Sequence, residues 1–370
     1  MARNPRDKEA LEELKKVEAF WQIALPTHFK TLYTHFEHPF LAPCEFSSLA
    51  QIASGEGREY GMLPQYLPFG KGVGESGTYG FYLTPTNQLG PIPIAHQDEE
   101  TGSVRPVASS FEAFLRHCVI VGRYETEDNW LEGERDTQEE AERYEYSRLL
   151  DIPEALFFGE LPRNEAELYE RLIKWDVQDA TTLLHLGCVK RWRGEEERAL
   201  DFFHRAGEAT PWFGDCAYLF GDVYRVQEKF ERAVKAYWSV AQSLLPLCTE
   251  TTEWDLGEEH PEADIYEIAT DALQQFGTFA PPEIKADPLW RVVVEQDPYD
   301  PEVREDFGNL RLQQGDVIGA EREFLNALSL CAGESGSQPQ RIYDALIGLY
   351  ERSGRTRELA LARHDKRLRR

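Results

Sequence analysis

Basic side chains are scarce in this 370-residue chain: 40 Lys and Arg stand against 66 Asp and Glu, a formal net charge of −26. Binding to nucleic acid rests on Lys and Arg at phosphates, so the deficit argues against nucleic acid as a direct partner. The six cysteines (Cys44, Cys118, Cys188, Cys216, Cys248 and Cys331) include no C-x-x-C pair. That removes a zinc site and a compact disulfide framework. No apolar run approaches the roughly 18 residues of a membrane span, so no membrane partner is expected. The opening "MARNPRDKEALEELKK" lacks the apolar core of a secretory signal. The expected compartment is the cytoplasm, with reduced thiols. G-x-S-x-G, H-E-x-x-H and Walker patterns are also missing. No catalytic residue, cofactor or metal is therefore expected, and the chain reads as a non-enzyme.

What is present falls into two parts. Residues 1–122 hold ten basic and fourteen acidic residues, and the remainder thirty and fifty-two. Leu11, Leu14, Val17 and Phe20 lie near helical spacing. Phe29, Leu32, Tyr33 and Phe36 repeat at i, i+3, i+4 and i+7 after Pro26, which suits a first helical turn. From about residue 60 to 95, "QYLPFG", "TYGFYLTP" and "GPIPIAHQ" are short, aromatic and punctuated by Gly and Pro, as strands with turns should be. Ser109, with Glu112 three residues on, predicts a capping box opening a closing helix whose buried face is Phe111, Phe114, Leu115 and Cys118. Residues 1–122 thus predict an α+β domain, a small antiparallel sheet with helices. Residues 123–160 read as an acidic linker running into a polar helix.

Residues 161–370 predict an all-α solenoid. Leu186-Gly187, Ala199 and Phe203 recur as Gly221, Ala233 and Tyr237, each 34 residues later. A third unit carries Phe307-Gly308, Gly315, Ala320, Phe324 and Ala327. Small residues suit the close crossing of two helices, and large apolar ones fill the gap to the next repeat. This period and pattern resemble tetratricopeptide (TPR) helix pairs. Residues 166–179 read as a second helix ahead of the first full repeat. "EADIYEIATDALQQ" with "ADPLWRVVVEQDP" reads as a divergent unit, and "RIYDALIGLYERSGRTRELA" as a final one. About five units are expected, interrupted by a loop at 249–262.

"GVGESG" at 72–77 fits G-x-G-x-x-G. A dinucleotide fingerprint needs a helix at its last glycines, and "TYGFYLTP" follows instead. A kinase loop needs V-A-I-K and H-R-D-L-x-x-x-N, which are missing. Asp306-Phe307-Gly308 already fills slots of a repeat helix. We read 72–77 as a mobile connection between strands. His28, His35 and His38 fall on one helical face, but no fourth ligand is evident, and we read them as surface or packing residues.

Taking Gly187, Gly221 and Gly308 as equivalent, the groove-facing positions should include Leu184, Cys188, Arg191, Trp192, Tyr218, Asp222, Arg225, Glu305, Asn309 and Gln313. TPR grooves in co-chaperones use Lys and Asn to clamp a peptide's terminal carboxylate. Leu184, Cys188 and Glu305 occupy those positions here, which argues against that use.

The first 122 residues resemble the SMI1/KNR4 family, also called the SUKH superfamily. The resemblance lies in the order of "WQIALPTHFKTLY", "YLPFGKG", "TYGFYL", "GPIPIAHQDEE" and "ASSFEAFL". It departs at "HFEHPFLAP", where an Asn-Gly-Gly-like turn is common, and at "GTYG", where Gly-Asp is common. The resemblance implies a non-enzymatic protein, with bacterial members acting as immunity proteins that neutralise toxins, many of them nucleases. The expectation is a protein partner met through acidic surface around Asp98, Glu99 and Glu100. The alternative is an adaptor whose repeat groove holds a cellular protein or peptide.

Overall fold

The computed structural model describes residues 5–36, 39–55, 58, 62–73, 76–83, 91–130, 145–254, 263–331 and 337–368. The chain divides into two compact units. One takes in Met1–Arg58, Gln65–Glu100 and Pro106–Leu186; the other takes in Glu59–Pro64, Thr101–Arg105 and Gly187–Arg370.

The first unit is built on a sheet whose six strands follow chain order: β1 (Phe40–Leu41), β2 (Cys44–Phe46), β3 (Tyr66–Gly72), β4 (Gly77–Tyr82), β5 (Ile94–Asp98) and β6 (Val104–Ala108). Cys44 faces Gly72, Tyr66 faces Tyr82, and Gly77 faces Asp98 across antiparallel pairs. Helices α1 (Pro5–Trp21), α2 (Thr27–His35), α3 (Leu49–Ser54) and α4 (Phe111–Trp130) accompany the sheet. Phe29 of α2 meets Phe69, Phe81 and Phe111 at ring separations of 5.8, 5.4 and 5.0 Å. Phe46 and Phe114 extend the cluster from β2 and α4. Such ring pairs add roughly 0.5–1.5 kcal/mol each beyond the area they bury.

A capping box does occur, but at α3: Ser48 accepts from the Gln51 N–H and Gln51 reaches back to the Ser48 N–H. At α4 the expected box on Ser109 and Glu112 is not formed. Ser110 Oγ caps the helix by accepting from Ala113 N at 3.2 Å. Ser109 instead donates its N–H and hydroxyl to Asp176, at 2.7 and 2.6 Å, because an ionised carboxylate is the stronger acceptor. Glu112 turns to Arg116 at 2.5 Å.

The stretch expected as an acidic linker is not uniform. Residues 131–144 lie outside the described residues. From 145 the chain packs onto the first unit: Tyr146 stacks on Phe36 at 4.2 Å and accepts the Phe40 N–H at the edge of the sheet. Arg123 donates to the carbonyls of Leu156 and Gly159, at 2.7 and 2.8 Å. These lie in or beside α5 (Glu154–Phe158). The next helix, α6 (Glu165–Trp175), buries Leu168 and Leu172 against Ile120 of α4.

Helix pairs then follow: α7 (Ala180–Trp192) with α8 (Glu196–Ala209), and α9 (Gly214–Val226) with α10 (Phe230–Ala241). Next come α11 (Ile265–Phe276), the short α12 (Pro282–Lys285) and α13 (Pro288–Glu295). The last are α14 (Pro301–Gln313) with α15 (Val317–Leu330), and α16 (Ser337–Ser353) with α17 (Thr356–Leu368). The repeat logic is visible in atoms. A Cβ on Gly187, Gly221 or Gly308 would come closer than 3.0 Å to the ring of Phe203, Tyr237 or Phe324 respectively. Each glycine therefore permits one helix crossing. This also accounts for the "DFG" at 306–308, where Phe307 and Gly308 are buried in α14. The turn after the first helix of three pairs needs a left-handed residue, and Gly194, Glu228 and Gly315 supply it at φ of 72°, 57° and 80°.

The interruption expected as a loop is partly ordered. Short 3₁₀ turns occupy Leu245–Leu247 and Thr251–Trp254, and residues 255–262 lie outside the described residues. Asp215 of α9, fully buried, accepts from Thr249 N at 3.0 Å, from the Thr249 hydroxyl, and from Trp254 Nε1 at 2.8 Å. Asn326 of α15 accepts from Leu245 N at 2.8 Å. The insert is thus pinned from two helix pairs at once.

Candidate functional site

Four of the predicted groove residues converge. Asp222 of α9 is fully buried. Arg225, one turn on, places Nε and Nη2 on its Oδ1 at 3.0 and 2.6 Å. Arg191, from α7 of the preceding pair, forms an ion pair with Oδ2. The arginines remain partly open, with 19% and 32% of their side chains exposed. Tyr218 lies behind Asp222, its ring 6.3 Å from that of Tyr237 on α10. Burial, and next the Asp222 carboxylate, push both phenols well above their ordinary range. They therefore stay neutral.

The neighbours of the two arginines are apolar and open. Trp192 is 57% exposed and Val226 is 52% exposed. They stand 34 residues apart, at one repeat position in the first helices of successive pairs. Val226 and Tyr237 were not among the groove-facing positions read from the sequence. The 34-residue offset from Trp192 identifies Val226. Tyr237 was already the repeat's large apolar residue, and only its partner side chains show its link to the cluster.

The other predicted positions lie elsewhere. Leu184 and Cys188 are buried and so are not groove surface. Glu305 pairs with Arg341 at 3.1 Å, while Asn309 and Gln313 are exposed on α14. None of the described bonds of the Asp222 cluster involves them. Asp98 closes β5, its Oδ1 accepting the Glu100 N–H at 2.9 Å, and Glu99 and Glu100 are exposed in the turn that follows. This acidic turn and the Arg191–Asp222–Arg225 cluster belong to different compact units.

The glycine-rich stretch has a packing role at its described ends. Gly72 pairs with Cys44. Gly77 sits at φ 139°, and a Cβ there would overlap Gln97 and His96. Residues 74 and 75 lie outside the described residues, so the mobility expected of this connection lies outside them too. His28 lies 4.0 Å from Glu112, and His35 Nδ1 lies 2.9 Å from the Thr31 carbonyl oxygen. His38 is outside the described residues. Among the described residues no group of three or more His, Cys, Asp or Glu could hold a metal.

Residues 9–117 match the model of the SMI1 / KNR4 family (SUKH-1). The match covers the helices and sheet of the first unit up to His117 and stops before the helix pairs. No curated protein matches the chain. Among solved structures, the chain is similar to YrrB, described as a TPR protein with an unusual peptide-binding site. That likeness has 19% identity and a TM-score of 0.24, covering 54% of this chain and 91% of that one. It is also similar to Cut9–Hcn1 of the APC/C, with 16% identity and a TM-score of 0.23, covering 69% of this chain and 53% of that one. Both scores are low, and the reading of the helical region rests on its own glycine crossings. The chain is thus similar to the SMI1/KNR4 family over residues 9–117, and repeated helix pairs follow. Among the described residues no helix is long and apolar enough to cross a membrane.

Proposed function

We propose that the chain is a non-enzymatic immunity protein, which neutralises a toxin by binding it stoichiometrically. The observation that carries this reading is the family match over residues 9–117. The charge supports it: a nuclease presents a basic cleft for its substrate, and an acidic inhibitor competes for that cleft and is steered to it. Glu99 and Glu100 are exposed at the end of β5, and Asp98 shapes their turn. They are the residues we assign to this contact.

The reading requires a toxin encoded beside the gene. A gene standing alone, or in a regulatory setting, contradicts it. With such a toxin in hand, the full chain should form a stable complex, and the triple variant Asp98→Asn/Glu99→Gln/Glu100→Gln should bind with slower association and weaker salt dependence. If that variant binds as tightly as the parent while changes at Arg191 and Trp192 abolish binding, the contact belongs to the helix pairs.

A further inference from the structure

We infer that residues 145–181, which follow the family match, form a strap that closes both edges of the sheet and keeps it from pairing with a second copy of this chain. The inference goes beyond the immunity reading, since it concerns self-association and not the toxin.

Three observations carry it. The first is where the strap bonds. The sheet is open, so β1 and β6 are its two edges. An edge strand presents unpaired N–H and C=O groups and serves as a template for another strand. At β1, the Phe40 N–H donates to the Tyr146 hydroxyl at 3.1 Å. At β6, the Thr181 hydroxyl donates to the Pro106 carbonyl. Just past β6, the Ser109 N–H donates to Asp176 at 2.7 Å. These bonds span 106, 75 and 67 residues of sequence, so none is a local turn or cap. All three come from side chains of the strap. A side chain ends the ladder, whereas an added strand would offer a new edge.

The second observation is that the strap is held along its length. Leu150 and Ile152 are 0% and 2% exposed, and the Ser147 hydroxyl donates to the Ile152 carbonyl at 2.6 Å. Arg123 of α4 holds the Leu156 and Gly159 carbonyls, and Leu168 and Leu172 pack on Ile120. The two ends are therefore fixed in place by the body between them.

The third observation is what the strap covers. Phe40 on β1 is 50% exposed, and Phe36 lies beneath the Tyr146 ring at 4.2 Å. Without Tyr146, β1 would offer a free N–H flanked by two aromatic side chains. Two identical edges pair antiparallel about a twofold axis, which is the commonest closed symmetry. β6 carries a second guard, because Pro106 has no N–H to give and proline belongs on an edge strand. β1 is thus the edge that a second copy would use.

The test uses the full chain, with amide hydrogen exchange and sedimentation velocity across a wide range of concentration. The parent should sediment as a monomer. Tyr146→Phe keeps the ring on Phe36 and removes only the hydroxyl. It should speed exchange at the Phe40 amide about tenfold and leave Ser109 unchanged. Asp176→Ala should do the reverse, speeding Ser109 about tenfold and leaving Phe40 unchanged. The combined variant Tyr146→Ala/Asp176→Ala/Thr181→Val should form a dimer whose population rises with concentration. Adding Phe40→Lys, which places a charge on the edge, should return it to a monomer. A folded combined variant that stays monomeric at every concentration overturns the inference. So does a dimer that Phe40→Lys leaves intact, or a parent that already dimerises through β1. If the combined variant fails to fold, Tyr146→Phe/Thr181→Val decides by the same readings, since it removes only two hydroxyls.

Discussion

The two units of this chain are held together in different ways. The first is an aromatic core: Phe29, Phe46, Phe69, Phe81, Phe111 and Phe114 touch one another from two helices and three strands. The second combines aliphatic packing with buried polar cross-links. Arg304 and Glu323 are both fully buried and 2.8 Å apart, and Arg304 also donates to Tyr266 and to the Pro298 carbonyl. Tyr350 donates to Glu321 at 2.9 Å, and Asp215 and Asn326 stitch the insert. A stack of similar helix pairs has many near-equivalent ways to slip, and apolar contact alone does not choose among them. Directional bonds between specific helices do choose. In the sheet the backbone ladder and its bulge at Pro68/Gly70 set the register.

The comparison breaks most visibly in substitutions at the two cores. Phe69→Ala should cost about 3–5 kcal/mol in the first unit. Arg304→Met should cost a similar amount in the second, about 3–5 kcal/mol, because Glu323 keeps Arg322 at 2.8 Å but loses its fully buried partner, and Tyr266 and the Pro298 carbonyl lose a donor. The double variant Arg304→Met/Glu323→Leu should recover most of that loss in chemical denaturation, since an apolar pair can replace a buried ion pair. No second change in the first unit should rescue Phe69→Ala in this way. If the double variant is as unstable as the single, the polar bonds of the helix pairs contribute more than register.

Glycine gives the next contrast, within the second unit itself. Gly308→Ala forces a Cβ into the Phe324 ring and should destabilise by about 1–3 kcal/mol. Gly348→Ala, in α16 with nothing within 4 Å of its Cβ, should stabilise by roughly 0.5–1 kcal/mol. Thermal melts of the two variants should move in opposite directions.

Acid should act on the first unit through Asp179, which is buried beside Asp176. Burial first, and the Asp176 carboxylate next, push it up to about 7. A raised carboxyl binds its proton more tightly in the folded state. Its protonation therefore adds stability below the unfolded value near 4, and that contribution is lost as pH rises through about 7. Asp179 also caps α7 through Thr182 N and Oγ1. Asp179→Asn keeps an acceptor for the Thr182 N–H and should remove on the order of 1–3 kcal/mol of pH dependence between pH 5 and 8. An unchanged pH profile in that variant contradicts the assignment.

The smallest effect lies at the left-handed turn. Glu228 holds φ 57° where the neighbouring pairs place glycine, so Glu228→Gly should raise stability by roughly 1 kcal/mol. A loss of stability would mean that Glu228 makes a contact worth more than its backbone strain.

Much of the fold was legible because its demands are local or periodic. A glycine at each crossing and a ring sixteen residues on are required by the geometry of a helix pair, so the 34-residue offset survives in the text. The strands announce themselves by aromatic residues between Gly and Pro. What escaped depends on partners far along the chain. Ser109 reads as a cap until Asp176, 67 residues away, takes its hydrogen bonds. Tyr146 reads as part of an acidic linker until it stacks on Phe36. The insert reads as a loop because nothing local shows that Asp215 and Asn326 hold it. The groove register named Arg191, Tyr218, Asp222 and Arg225 as groove-facing, and in the structure both arginines pair with Asp222. It could not show that Asp222 and Tyr218 are buried, because register places a residue on a face and burial depends on what lies above it.

The central claim is binding by occupancy, and a titration of toxin activity against the full chain tests it most directly. With the toxin held well above its dissociation constant for the complex, activity should fall linearly and reach zero at one chain per toxin. Protection by substoichiometric amounts of the chain would mean that it turns over as a catalyst, and residual activity at saturation would mean that it does not cover the toxin's active site; either result contradicts the account.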